Sequence, residues 1–159
     1  MEHYKKLFKS FYYAFCGIFR TINAERNMRI HLTCIVYMFS ILLLTDWFTL
    51  SRAEWAILVL ACGAVVSGEI INTAIENAVN LASEEKTQYG KISKDAAAGA
   101  VLVGAICAVI VGLIILFQPA AFKAMFAYFS ENMPMLILLV LSIIPATLFI
   151  FFGIPTKRK

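Results

Sequence analysis

Four apolar stretches constrain this chain more than any other feature of its sequence. Three of them have the roughly 20 residues that an α-helix needs to cross the hydrocarbon core of a bilayer, and the first, about residues 30–44, reaches that length only if it extends from near Met28 to near Trp47 and Phe48. Of the 159 residues, 61% are hydrophobic and 15% are charged, whereas soluble domains are about half apolar and about a quarter charged. The sequence therefore predicts an all-α membrane protein whose spans cover about residues 28–48, 53–81, 96–117 and 134–154.

An amphipathic segment at residues 4–22 precedes the first span. Its apolar residues recur at helical spacing, and its basic residues mostly fall on the other side. A helix of this kind lies in the headgroup plane of a membrane, with its basic face toward anionic lipid. An ordinary amphipathic helix packed on protein is the alternative. We predict a surface helix at the N-terminus.

The basic residues predict how the spans are oriented. With the N-terminus in the cytoplasm, 12 of the 14 lysines and arginines lie inside, and only Arg52 and Lys123 lie outside. The positive-inside rule favours this orientation. The fourth span returns the chain to the cytoplasm, where it ends in the basic tail Lys157-Arg158-Lys159. We expect a multi-pass protein of the cell membrane, and we read its net charge of +4 as a sign of topology with no nucleic-acid partner.

A polar stripe interrupts the second span. Glu69, Asn72, Glu76 and Asn80 are spaced three, four and four residues apart, which places them on one face of a helix. Glu69 follows Trp55 by 14 residues, which is roughly 21 Å of helix, and Glu76 is about 10 Å further toward the cytoplasm. Polar groups at such depths mark functional sites by default, and hydrogen bonding between packed helices is the alternative.

Two more polar clusters lie at the same predicted interface. Glu25 joins the surface helix to the first span, so Glu25 and Glu76 can share a divalent cation such as Mg²⁺, which takes one or two carboxylates together with substrate phosphates. Lys94-Asp95 stands where the third span is predicted to begin, and free N–H groups at a helix start attract phosphate. A plain helix start capped by Ser93 is the alternative.

Together these motifs resemble the prokaryotic diacylglycerol kinases, a family of small trimeric membrane kinases that includes undecaprenol kinases of Gram-positive bacteria. The matching motifs are Glu69-x-x-Asn72-Thr73-Ala74-Ile75-Glu76, Lys94-Asp95 before a small-residue helix, and Glu25-x-x-x-Arg29-Ile30-His31. The resemblance covers about residues 4–117. It implies a lipid kinase membrane domain at 1–117, built from the surface helix and three spans, and a C-terminal extension at 118–159.

The resemblance also implies roles for individual residues. Glu69 would be the catalytic base, Glu25 and Glu76 would hold Mg²⁺ with ATP, and the active sites would form between protomers of a homotrimer. Residues implied in ATP binding are Lys94, Asp95, Glu25, Glu76, Lys6, Tyr13, Glu85, Lys86 and Thr87, and those implied in shaping the substrate site are Asn72, Glu69, Arg29 and Asn80. The chain departs from the family pattern at Asn80, where Asp is usual, and at Lys86-Thr87, where Tyr-His is usual.

The function expected from the resemblance is ATP-dependent phosphorylation of a membrane lipid alcohol at the cytoplasmic interface. Undecaprenol is the favoured substrate, and diacylglycerol is the alternative. A small transporter or a scaffold without kinase activity is the alternative of another class. The outer half of the second span, from Trp55 to Val66, is almost wholly apolar, which argues against a proton or ion path.

Overall fold

The computed structural model describes residues 2–82, 85 and 87–154, with side chains from residue 4 onward. The predicted ATP contact of Lys86 and the predicted cytoplasmic tail Lys157-Arg158-Lys159 lie outside the described residues. The described chain is helical without strands, which confirms the all-α prediction. Its helices are α1 (Glu2–Ala24), α2 (Arg26–Leu44), α3 (Arg52–Ala82), α4 (Gln88–Leu116), α5 (Pro119–Glu131) and α6 (Met133–Phe152).

Four of these helices, α2, α3, α4 and α6, are long and apolar enough to cross a membrane, as predicted. The helix α3 has 31 residues, or about 46 Å at 1.5 Å per residue. Because a hydrocarbon core is only about 30 Å thick, one end of α3 extends past the lipid tails. Most large apolar side chains on these helices are exposed, so the bundle presents an apolar surface to its surroundings.

The start of α4 differs from the prediction. This helix begins at Gln88, and its N-cap is Thr87, whose Oγ1 accepts a hydrogen bond from the Gly90 amide at 3.0 Å. A Cβ at position 90 would lie 2.9 Å from Thr87 Oγ1 and 3.0 Å from a Val79 methyl, so glycine permits this close approach to α3. Lys94 therefore lies inside the helix, and the prediction that free N–H groups surround Lys94-Asp95 is wrong.

The helix α5 was not predicted, because its 13 residues are too few for a span. It packs on the loop between α2 and α3 through aromatic rings. The ring centroid of Trp47 lies 5.3 Å from Tyr128 and 5.7 Å from Phe129. Just before α5, the Gln118 side chain accepts a hydrogen bond from the Thr49 amide at 3.2 Å and donates one to the Thr49 carbonyl at 3.1 Å.

Two packing features position the predicted polar stripe. The helix α3 packs most extensively against α4. At this contact, a Cβ built on Gly68 would lie 3.6 Å from a methyl group of Val101 in α4, which is an ordinary van der Waals distance. At the other side, α1 gives way to α2 at Glu25, an extended residue with φ −102° and ψ 119°. The helix α2 packs against α3, and Glu25 lies at the junction of α1 and α2.

Candidate active site

A cavity of about 230 Å³ lies beside the polar stripe, among α2, α3 and α4. Its wall combines four polar side chains with small and apolar ones. Glu69 and Asn72, the two stripe residues in this wall, are buried, with 1% and 7% of their surface exposed. The cavity is lined by Asn27, Ile30, His31, Glu69, Asn72, Ala98, Val101, Leu102 and Ala105.

Two buried oxygen atoms in this wall have no hydrogen-bond partner among the described residues: Glu69 Oε1 and Asn72 Oδ1. His31 Nε2 lies 3.4 Å from Glu69 Oε1, but this contact lacks hydrogen-bond geometry. Buried polar atoms in proteins are nearly always paired, and an unpaired one costs about 1–3 kcal/mol. Two unpaired acceptors on one cavity wall are suited to a ligand that donates hydrogen bonds, such as an alcohol.

The polar stripe is continuous from the buried part of α3 to its exposed end. Asn72 Nδ2 donates a hydrogen bond to Glu76 Oε1 at 3.1 Å, and Thr73 Oγ1 donates one to the Glu69 carbonyl at 2.9 Å. The structure thus brings Glu69, Asn72 and Glu76 onto one face, as the spacing predicted. The Asn72 side chain is hydrogen-bonded to the more accessible carboxylate, Glu76, and the hydrogen bond at Glu69 goes to its backbone carbonyl.

Glu25 and Glu76 form the second part of the site. Although Glu25 occupies the N-cap position of α2, its side chain makes no capping hydrogen bond, so the carboxylate is available to other partners. Partial burial and the charge of Glu76 raise the pKa of Glu25, whereas Arg29 lowers it. Two carboxylates that repel each other in this way are suited to a divalent cation, which would relieve the repulsion.

The metal-ligating groups available here are few. Within residues 2–82, 85 and 87–154, no group of three or more His, Cys, Asp or Glu side chains is gathered to hold a metal ion. A pair of carboxylates does fit Mg²⁺, because Mg²⁺ keeps several waters and completes its shell with substrate phosphates. The residues present therefore fit a magnesium ion that arrives with a nucleotide better than a resident metal centre.

Lys94 and Asn80 meet at the exposed end of the stripe. Lys94 Nζ donates a hydrogen bond to Asn80 Oδ1 at 2.6 Å, and this contact joins α4 to α3. The structure therefore places Lys94, which is predicted to contact the phosphates, next to Asn80, one of the two places where the sequence is predicted to depart from the family pattern. Asp95, the neighbour of Lys94, is exposed.

The remaining predicted residues are not among those that line the cavity. Lys6 and Tyr13 are exposed on α1, and in the described structure no hydrogen bond or ion pair joins them to Glu25, Glu69 or Glu76. The Thr87 hydroxyl caps α4, and Glu85 is exposed.

Three residues have roles that sequence patterns did not reveal. Asn27 and His31 line the cavity. Their position in the polar segment after Glu25 was a signal for both, and His31 also belongs to the motif Glu25-x-x-x-Arg29-Ile30-His31 that carries the family resemblance. Arg29 is buried, and its described hydrogen bonds go to backbone carbonyls of α1 and α6, although it was predicted to shape the substrate site. Its partner in α6 is 121 residues away, so no local pattern could indicate it.

Comparison with known proteins supports a kinase. The profile of the family described as Prokaryotic diacylglycerol kinase matches residues 12–116, so it ends with α4 and leaves α5 and α6 outside. An undecaprenol kinase of Bacillus subtilis is 41% identical over 112 residues, covering 69% of this chain and 87% of that protein.

Two further relatives are named diacylglycerol kinase. The one from Synechocystis sp. is 38% identical over 114 residues, covering 71% of this chain and 63% of that protein. The one from Helicobacter pylori strain J99 is 34% identical over 107 residues, covering 65% of this chain and 78% of that protein. No solved structure matches the chain. With the profile spanning most of its length, the chain belongs to the prokaryotic diacylglycerol kinase family and is a membrane lipid kinase.

Proposed function

We propose that this kinase transfers the terminal phosphoryl group of MgATP to the hydroxyl of undecaprenol, at the cytoplasmic interface of the cell membrane. The observation that carries the proposal is the buried Glu69, whose Oε1 has no hydrogen-bond partner among the described residues and whose side chain lines a cavity with both polar and apolar walls. Undecaprenol is preferred to diacylglycerol because the Bacillus subtilis undecaprenol kinase is 41% identical, against 38% and 34% for two diacylglycerol kinases. Diacylglycerol remains the second candidate.

Glu69 would act on the lipid hydroxyl. In this assignment the hydroxyl donates a hydrogen bond to Glu69 Oε1, which orients the oxygen and accepts its proton as the oxygen–phosphorus bond forms. The apolar wall residues Ile30, Val101 and Leu102 would hold the first part of the lipid chain. Phosphoryl transfer has a loose transition state, so positioning contributes more than basicity.

Glu25 and Glu76 would hold the magnesium ion that accompanies ATP. The metal would supply positive charge to the phosphate oxygens. Asn72, hydrogen-bonded to Glu76, would keep that carboxylate in place. Lys94 would exchange its hydrogen bond to Asn80 for one to a phosphate oxygen. Asp95, Lys6, Tyr13, Glu85, Lys86 and Thr87 are proposed to contact the nucleotide less centrally.

A homotrimer with shared active sites is proposed as the working assembly. The small residues of α4 support it, since a Cβ built on Gly99, Gly104 or Gly112 would meet no described atom within 4 Å beyond the adjacent backbone of α4 itself. Small residues allow close helix contact between membrane protomers. The excess of basic residues on one side of the bundle supports cytoplasmic termini.

The division of the chain is likewise proposed: a lipid kinase domain at 1–117 and an extension at 118–159. The end of the family match at residue 116 supports this boundary. Because the relatives are kinases, the transporter and scaffold alternatives have no remaining support.

A competition assay tests the substrate. The purified protein in nanodiscs receives labelled ATP, Mg²⁺ and equal amounts of undecaprenol and diacylglycerol, and the phosphorylated lipids are separated and counted. We expect label mainly in undecaprenyl phosphate and none with Glu69→Gln. Label mainly in phosphatidic acid would replace undecaprenol by diacylglycerol, and label in neither lipid would overturn the proposal.

A further inference from the structure

Arg29 joins the ends of two helices that are far apart in sequence. Its side chain is buried, with 6% of its surface exposed. Nε donates a hydrogen bond to the Ile150 carbonyl at 2.9 Å, and Nη1 donates to the carbonyls of Ile22 and Asn23, both at 2.9 Å. Ile22 and Asn23 belong to the last turn of α1, and Ile150 belongs to the last turn of α6.

The chemistry of this contact is that of a shared helix cap. The last carbonyls of an α-helix have no partner within the helix and carry the negative end of its dipole. A guanidinium is planar, always charged and able to donate several hydrogen bonds at once. One buried cation therefore satisfies the C-terminal ends of α1 and α6 together.

A second contact fastens the end of α6 to the same place. Asn23 Oδ1 accepts a hydrogen bond from the Ile154 amide at 3.2 Å. Between these contacts stands Gly153, with φ +68°, a backbone conformation in which glycine has no steric penalty. A Cβ at Gly153 would lie 3.4 Å from Arg29 Nη1 and 3.7 Å from Asn23 Oδ1. We call Asn23, Arg29, Ile150, Gly153 and Ile154 the C-terminal clamp.

The clamp surrounds the position of Glu25. This residue lies two after Asn23 and four before Arg29 in the chain, at the break between α1 and α2. The direction in which α1 leaves α2, and with it the placement of the Glu25 carboxylate, depends on what holds the end of α1. The clamp is one of the contacts that hold it, beside the packing of α1 against α2 and α3, and one half of the clamp comes from α6.

We propose that α6 positions Glu25 for the magnesium-bound nucleotide through Arg29, and that the C-terminal clamp is a positioning element of the active site. The inference rests on the proposed function, in which Glu25 holds MgATP. The helix α6 lies beyond the residues matched by the family profile. In this chain the extension would therefore take part in nucleotide binding without touching the nucleotide.

The test uses full-length variants that weaken the clamp without altering a charge. Asn23→Ala removes the acceptor for the Ile154 amide, and Gly153→Ala places a methyl group against Arg29. Tyr37→Phe is the matched control, because it removes the other hydrogen bond between α2 and α6, from Tyr37 Oη to Ser142 Oγ at 2.7 Å, away from Glu25.

Two readouts are compared: the KM values for MgATP and for the lipid, and the rise in melting temperature on adding MgADP, which requires no turnover. We expect Asn23→Ala and Gly153→Ala to raise the KM for MgATP by about tenfold, as loss of a supporting hydrogen bond does at metal sites. The MgADP shift should shrink in parallel. The KM for the lipid should stay within about twofold, and Tyr37→Phe should behave as the wild type.

Several outcomes overturn the inference. Unchanged nucleotide binding in both clamp variants would overturn it. An equal loss of affinity for lipid and for nucleotide would also overturn it, as would a loss of nucleotide affinity in Tyr37→Phe that matches the loss in the clamp variants. If a clamp variant fails to fold, Arg29→Lys provides the same comparison, since it keeps the charge with fewer donors. Glu25→Gln separates the two proposals: no effect there removes Glu25 from the nucleotide site, whereas a large effect there with normal clamp variants overturns the clamp alone.

Discussion

The first end of α3, near Trp55, and its middle, near Glu69, differ in how well their polar groups are hydrogen-bonded. Near Trp55 the helix packs into an apolar cluster with Leu42, Leu58 and Ile115, and the polar Gln118 close by is hydrogen-bonded to Thr49 and to the Ile115 carbonyl. Near Glu69 the same helix carries buried oxygen atoms without partners in the described structure. The first end of α3 is packed, and its middle keeps unpaired groups that a substrate can satisfy. This contrast predicts that substitutions in the two regions affect different properties.

The largest effect is expected for Glu69→Gln. Loss of a positioned base lowers kcat by about 10²- to 10⁴-fold, whereas the melting temperature should stay the same or rise, because a buried carboxylate is replaced by an amide. Steady-state kinetics and thermal unfolding of the same preparation measure both. Glu54→Gln on the same helix is the control, since the amide oxygen still accepts the hydrogen bond that Glu54 takes from Ser51. A kcat within tenfold of the wild type for Glu69→Gln would remove Glu69 from the base role.

The reverse result is expected for Leu58→Ala at the packed end. Leu58 is 2% exposed, and its truncation leaves a cavity that costs about 2 kcal/mol of unfolding free energy, at the low end for core leucines. The low end applies because the Leu58 side chain would contact apolar lipid in the unfolded state, so its burial in the core gains little transfer free energy. Unfolding by denaturing detergent measures the loss, and activity per folded protein should be retained. Exposed Leu60→Ala is the control, and equal destabilisation by both variants would contradict the packing described at this end.

For Glu25→Gln we expect a smaller loss of activity than for Glu69→Gln. We also expect a gain of stability, where Leu58→Ala loses stability. Loss of one magnesium ligand should raise the KM for MgATP by about tenfold, a modest change for a metal site. The pKa of Glu25 is raised in the folded protein, so stability falls as the pH rises from the ordinary carboxyl pKa of about 4.3 through the raised value. Without nucleotide or Mg²⁺, Glu25→Gln should therefore melt higher than the wild type at neutral pH and not at pH 4.

Melting curves at the two pH values, with and without MgADP, measure this effect. The stability gain should vanish when MgADP is present, because the cation then compensates Glu25 in the wild type. A variant that melts lower than the wild type at neutral pH in the absence of MgADP would mean that no repulsion with Glu76 exists to be relieved.

The smallest effect is expected for Asn80→Asp. It converts the hydrogen bond between Asn80 and Lys94 into an exposed ion pair worth about 0.2–1 kcal/mol. Lys94 would then be held more firmly, and the KM for MgATP should rise by about twofold. Lys94→Ala, made with and without Asn80→Asp, is the control, since the effect of the substitution at position 80 should disappear when Lys94 is absent. A fall in KM would indicate instead that a carboxylate at position 80 assists the metal.

Helix type and the face of the polar stripe were predictable because both follow from local periodicity. The bounds of α2 and α3 agree with the predicted spans within a few residues, since apolar length decides them. The start of α4 was not predictable from hydropathy, because its first two turns lie among polar residues and depend on Gly90 fitting against Val79. The clamp at Arg29 was likewise not predictable, since its acceptors are backbone carbonyls, which every residue carries and which no sequence pattern indicates.

The length of α3 would link the proposed catalysis to bilayer thickness. It is one continuous helix from Arg52 to Ala82, and aromatic side chains near Trp47 and Trp55 would anchor its first end at a membrane surface. The distance from that surface to Glu69 would then be constant, whereas the distance from Glu69 to the opposite headgroups would change with the lipid. Longer acyl chains would draw Glu69 further from the aqueous nucleotide unless the helices adjust their tilt. Membrane composition would thus set how easily the lipid hydroxyl and the nucleotide meet.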